Sequence, residues 1–99
     1  VVGTHTHVPT ADTMILPKGT AYQTDAGMCG DYNSVIGMNP VTAIHRFTKK
    51  TPSERFEPTS GEATVCGTFV QTDGTTGLAT RIEPVRLGGV LTDYMPALA

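Results

Sequence analysis

A chain of 99 residues with seven Lys and Arg against nine Asp and Glu carries a formal charge of −2, which leaves no basic footprint for duplex nucleic acid. No window approaches the roughly 18 consecutive apolar residues of a membrane-spanning helix, and no signal peptide is visible at the start of the given sequence. The hydrophobic fraction is 38%, with no Trp, three Tyr and three Phe, so the chain fits one domain at most. Its expected core is modest, better suited to finishing a larger sheet than to standing alone. Cys29 and Cys66 show no C-x-x-C spacing and read as free thiols, neither of them a metal ligand.

Residues 1–4 read as the end of a buried strand, because two β-branched residues precede a glycine. His5 and His7 follow one residue apart, and Pro9 then ends regular structure. Side chains alternate along an extended segment, so both imidazoles are expected on one side with Cα atoms roughly 6–7 Å apart. Such a pair can grip one metal ion, or serve one ion each of a pair roughly 3.5–4 Å apart. In open α/β sheets ligands gather outside the carboxyl ends of strands, where these histidines fall. On spacing alone the pair is a half-site, since a catalytic zinc-type centre takes three protein ligands. An isolated His-x-His is more commonly two partly exposed polar residues.

Residues 12–16 and 19–24 read as a hairpin around Pro17-Lys18-Gly19, folded back against the first strand so as to lock the histidine loop. Asp25 is either an acceptor behind a ligand histidine or, more simply, an Asx-turn residue before the glycine loop. Asp12 invites the same two readings, and the turn or surface one again leads. The loop over residues 27–37 has neither a P-loop nor a dinucleotide pattern, and Tyr32 is expected to pack locally rather than stack on a base. Asn39-Pro40 is a helix start, with Asn as N-cap and Pro at the first helical position. Val41, Ile44 and Phe47 form an apolar stripe, with His45 on its flank, and Pro52 predicts a helix end near Lys50. The basic cluster of His45, Arg46, Lys49 and Lys50 is then a solvated helix end.

A second hairpin is expected from residues 63–72 and 78–85 around the turn at 73–77. Val65, Gly67 and Phe69 would share one face, Cys66 would be half-buried and inert, and Pro84 would sit at an edge or strand end. From Gly88-Gly89 a tail with little periodicity begins.

Several segments together carry a resemblance. They are Gly3-Thr4-His5-Thr6-His7-Val8-Pro9-Thr10-Ala11-Asp12, Ile15-Leu16-Pro17, Gly19-Thr20-Ala21-Tyr22, Thr24-Asp25-Ala26-Gly27-Met28 and Ser34-Val35-Ile36-Gly37-Met38. Continuing through Arg55-Phe56-Glu57 to Glu83-Pro84-Val85-Arg86, the chain resembles the YmdB-like metallophosphoesterases, a bacterial branch of the calcineurin-like superfamily. The resemblance implies a layered α/β sandwich with two metal ions and the activity of a cyclic-nucleotide phosphodiesterase. Residues 1–99 would be the C-terminal portion of that single α/β domain, β-rich here and ordered strand–hairpin–helix–hairpin.

By the same resemblance His5 matches a ligand of one metal and His7 a ligand of the other. No catalytic or substrate-binding residue carries over, because the family's earlier aspartate, glutamate, asparagine and histidine motifs have no counterpart here. The isolated chain is therefore expected to be inactive. The implied cofactors are two divalent or transition metal ions, iron or manganese by resemblance, with zinc equally allowed by ligand softness. The implied partners are a small 2′,3′- or 3′,5′-cyclic nucleotide and the missing N-terminal portion of the fold, with no duplex nucleic acid and no membrane. A homo-oligomer is left open, and the implied compartment is the bacterial cytoplasm. The alternative is a non-catalytic, β-rich accessory module with a vestigial metal half-site.

Overall fold

The computed structural model describes residues 1–48 and 57–98, with the Phe47 side chain left aside. The elements in order are β1 (Met14–Ile15), β2 (Ala21–Tyr22), α1 (Pro40–Thr48), β3 (Val65–Thr72) and β4 (Ala79–Leu87). β1 and β2 pair antiparallel, as do β3 and β4, giving two two-stranded sheets. The expected hairpin, helix and hairpin follow in that order. The leading strand is reduced to a parallel bridge between Val2 and Gln23, with Gln23 N donating to Val1 O and Gly3 N to Gln23 O, both at 3.0 Å.

The first hairpin is closed by the predicted turn: Gly19 N donates to Leu16 O at 2.8 Å, and Gly19 takes a φ of 92°. Its strands are two residues each rather than the five or six expected. Beyond Tyr22 the backbone groups turn instead to residues 1–3 and to side chains. Gln23 has no exposed surface, and its amide is fully used. Its Nε2 donates to Thr10 O at 3.3 Å and Asp25 O at 3.0 Å, and its Oε1 accepts from Thr68 Oγ1 at 2.8 Å. One buried amide thus ties the first hairpin to β3.

In β3 Cys66 is buried and Val65 exposed, and Thr68, on the same face as Cys66, reaches Gln23. That bond gives the buried amide oxygen a donor it would be costly to lack. On the other face Arg81 lies over the Phe69 ring, 5.1 Å from its centroid, and pairs with Glu83. The β3–β4 turn is held by Asp73 Oδ1, which accepts from Thr75 N and Thr76 N at 2.7 and 2.9 Å. Pro84 sits in mid-strand opposite Thr68, at the edge of a two-stranded sheet. The tail is more regular than expected. Gly88 and Gly89 turn it back, and Arg86 and Tyr94 exchange two backbone hydrogen bonds.

The N-cap of α1 is as expected, with Val41 N donating to Asn39 Oδ1 at 2.9 Å. The apolar stripe is not buried: Val41 is 77% and Ile44 54% exposed, while the neighbouring Ala43 is buried. Among the described residues no sheet lies against that stripe, so the pattern has no surface to cover it. The expected helix end near Lys50, the Lys49-Lys50 cluster and the Arg55-Phe56 pair lie outside the described residues.

The interior is smaller and more polar than composition implies. Among the described residues the buried apolar side chains include Ala21, Ala43 and Cys66, and the largest fully buried side chains are Gln23, Thr64 and Asp25. The radius of gyration of 17.1 Å exceeds the roughly 13 Å of a compact domain of about 100 residues. Backbone proximity takes the place of side-chain packing at Gly3, where a Cβ would lie 2.1 Å from Thr24 O. Gly3→Ala is therefore expected to lower unfolding free energy by about 1–3 kcal/mol, read from urea titration. A wild-type midpoint would show that residues 1–3 do not run beside Gln23.

Asp12 links the turn after Pro9 to the end of β2. Its Oδ1 accepts from Thr10 Oγ1 at 2.6 Å and Thr24 N at 3.1 Å, and its Oδ2 from the Thr24 hydroxyl. The Thr10 hydroxyl above all, then the two Thr24 groups, lower its pKa from 3.8 to about 2. A folded-state pKa below the unfolded one gives stability that is complete above the unfolded value and is lost as pH falls through the folded one. Wild-type melting temperature should drop between about pH 4 and pH 2, and Asp12→Asn should flatten that drop. Identical slopes in the two proteins would remove Asp12 from the acid response.

Candidate metal site

Thr4, His5, His7, Asp25, Gly27 and Met28 line an open pocket of about 240 Å³. Its walls are two loops that leave adjacent backbone segments, residues 4–7 after the leading strand and residues 25–28 after β2. Both predicted histidines are therefore in one place. The route is not the expected one, because the chain bends over residues 5–8 and His7 has a φ of 70°.

The cause of the bend is Asp25, which is 1% exposed. Its Oδ2 accepts from His5 N at 2.7 Å, Thr6 N at 2.6 Å and Thr6 Oγ1 at 2.8 Å. Successive N–H groups of a strand point to opposite sides, so two of them can meet one oxygen only where the strand is broken. Consecutive N–H groups folded into such a concavity form an anion-binding nest, filled here by the Asp25 carboxylate. Its Oδ1 accepts from Gly27 N at 2.8 Å, the Asx turn expected of it. Against the opposing effect of burial, the Gly27 N–H first, with the Thr6 and His5 groups, holds the Asp25 carboxyl well below the usual carboxylate range. The alternative expectation, Asp25 accepting from an imidazole, gives way to bonds with the backbone of the histidine segment.

The His7 ring is held from the other side. Its Nδ1 lies 2.8 Å from Ile36 O, and a carbonyl oxygen only accepts, so Nδ1 carries the proton and Nε2 keeps a free lone pair in the neutral ring. This is the arrangement of metal-binding histidines, whose second nitrogen donates to a carbonyl or carboxylate. Ile36 sits in a tight turn in which Val35 and Met38 exchange hydrogen bonds at 3.1 and 2.9 Å. Positive φ at both central positions, 47° at Ile36 and 93° at Gly37, is the pattern of a type I′ turn. A left-handed conformation costs a non-glycine residue roughly 1–2 kcal/mol. His7 and Ile36, the two non-glycine residues of positive φ among those described, are thus joined by one hydrogen bond.

The YmdB-like protein family model matches residues 1–85. The chain belongs to the YmdB-like family. It is 49% identical over 85 residues to a 2′,3′-cyclic-nucleotide 2′-phosphodiesterase of Bacillus subtilis (strain 168), covering 86% of this chain and 32% of that protein. Among solved structures, a phosphatase from Mycoplasma pneumoniae superposes with a TM-score of 0.82 at 44% identity, covering 89% of this chain and 31% of that one. A hypothetical protein from Thermus thermophilus gives 0.81 at 42% identity, covering 91% and 34%. The chain thus spans about a third of the length of the YmdB-like relatives it matches.

Two imidazoles on one loop, His7 with its Nδ1 on the Ile36 carbonyl, are candidate metal donors. They remain a partial donor set. Among the described residues no group of three or more His, Cys, Asp or Glu is arranged to hold a metal ion. His45 lies on α1, away from the pocket lining. Tyr32 packs locally as expected: its hydroxyl donates to Met28 O at 2.9 Å and accepts from Met28 N at 2.8 Å, with Cys66 Sγ at 3.2 Å. Burial, then Cys66, pushes the Tyr32 hydroxyl pKa up. Cys29 is exposed and Cys66 buried, both as free thiols. The N–H groups of Gly27, Met28, Gly30, Asn33 and Gly37 in this YmdB-like loop are spent on Asp25, Tyr32, Thr64, Asp31 and Ser34 and are not free for a phosphate.

Thr4, Met28 and the Ile36 carbonyl escaped the sequence reading. Ile36-Gly37 is weak as a turn signal because isoleucine rarely takes positive φ, and backbone carbonyls leave no mark in sequence. Long-range ¹H–¹⁵N correlation spectra of the neutral His7 ring are expected to show the proton on Nδ1. A pattern with the proton on Nε2 would remove the Ile36 contact and the metal-ready tautomer together.

Proposed function

We propose that this YmdB-like chain supplies part of a two-metal centre that hydrolyses a phosphodiester, with a 2′,3′- or 3′,5′-cyclic nucleotide as the substrate class. The observation that carries the reading is the meeting of His5 and His7 in one pocket, His7 with its lone pair on Nε2. The B. subtilis relative, named for a 2′,3′-cyclic nucleotide, favours the first substrate. His5 would hold one ion and His7 the other, within the α/β-sandwich fold that the resemblance implies. When bound, the ions supply positive charge and Lewis acidity to a phosphate and a water.

The chain's own residues bind and orient. His5 and His7 would offer ring lone pairs, Ile36 fixes the ring of His7, and Asp25 holds the loop that carries both. The remaining ligands and the histidine assisting the leaving oxygen would come from protein outside these 99 residues. Iron or manganese is the expected metal, with zinc allowed by the imidazole donors. Among the described residues no helix is long and apolar enough to cross a membrane; the proposed setting is the bacterial cytoplasm.

In the protein that carries the complete ligand set, His5→Ala and His7→Ala are each expected to cut metal content and turnover by at least about tenfold, since even outer partners of metal ligands are worth about 10–100-fold. Metal analysis with 2′,3′- and 3′,5′-cyclic nucleotide assays reads both effects. Full metal content and turnover in both variants would sink the ligand assignment and favour the non-catalytic module.

A further inference from the structure

We infer that Asp25 is a positioning residue for this site: its carboxylate clamps the histidine loop to the glycine turn and so sets where His5 and His7 present their nitrogens. The inference rests on the reading of His5 and His7 as metal ligands.

Four bonds to one buried side chain carry it. Three end on Oδ2, from His5 N, Thr6 N and Thr6 Oγ1, and one ends on Oδ1, from Gly27 N. The donors lie on both walls of the pocket, which is lined by His5 on one side and by Gly27 and Met28 on the other. An Asx turn alone would need only Oδ1 and Gly27 N. The convergence on Oδ2 is surplus to that turn, and it bends residues 5–7 out of the strand conformation that would otherwise continue from Val2.

Asparagine cannot replace this carboxylate. Its oxygen can serve one side, but its NH₂ then faces N–H groups on the other, donor against donor. The clamp therefore depends on the second oxygen and not on side-chain volume.

Zn²⁺ titration of the protein that carries the complete ligand set, followed by NMR at the His5 and His7 rings, tests the inference. Asp25→Asn should weaken Zn²⁺ binding by at least about tenfold, and amide exchange should quicken at His5, Thr6 and Gly27 while the β3–β4 amides keep their protection. Asp12→Asn, outside the pocket, should bind as wild type. Zinc affinity within about twofold of wild type for Asp25→Asn, alongside a loss in His5→Ala, overturns the positioning role and leaves the ligand reading standing. Unchanged affinity in both His5→Ala and His7→Ala overturns the two together. Should Asp25→Asn lose the β3–β4 pairing, Thr6→Val decides when set against Thr6→Ser, which keeps the hydroxyl's bond to Oδ2 and its contacts with Val8 and should bind as wild type. A loss of about threefold to tenfold in Thr6→Val supports the clamp, and wild-type affinity in that variant overturns it.

Discussion

The Asp25 carboxylate meets two requirements with one group. A charge with almost no exposed surface is costly unless hydrogen bonds replace its hydration. Here four donors within 2.6–2.8 Å do so. The same donors belong to the two loops that form the pocket, so satisfying the charge also shapes the site. His7 in a left-handed conformation and the break in the leading strand follow from that arrangement. The strain is local and is answered at once by the Ile36 carbonyl on the His7 ring.

The rest of the interior works the same way. Gln23 and Thr64 are buried with their polar atoms paired, to Thr10, Asp25 and Thr68 in one case and to Gly88 in the other. Hydrogen bonds of this kind contribute modest net stability each but are expensive to leave unmade. They therefore specify one arrangement more than they drive collapse. The driving apolar surface is largely outside, at Val1, Val2, Val41, Ile44 and Val65. That balance accords with a chain that spans about a third of its relatives' length.

Much of the fold was legible because local chemistry forces it. Pro17-Lys18-Gly19 turns, Asn39-Pro40 starts a helix, and Asp73 organises the turn between β3 and β4. Local pattern fell short where a distant group outweighed it. The bond from Thr68 to the Gln23 amide, 45 residues away, leaves no mark in the local alternation. The stripe on α1 was correctly patterned, but no described surface lies against it. The strands of the first hairpin are shorter than expected because the neighbouring backbone groups bond elsewhere, whereas β4 runs two residues beyond Val85.

At the site, the sequence by itself determined which residues can act: two imidazoles one residue apart, a proline that frees the chain after them, and a carboxylate placed to turn before glycine. Those are matters of residue type and short spacing. Only the tertiary structure decided that the histidine segment is bent rather than extended, that Asp25 serves its backbone rather than an imidazole, and that Ile36 selects the His7 tautomer. Each is a contact across 19 to 29 residues, and all of them depend on main-chain N–H or C=O groups. Every residue but proline carries both groups, so their identity holds no information until the fold brings one particular pair together.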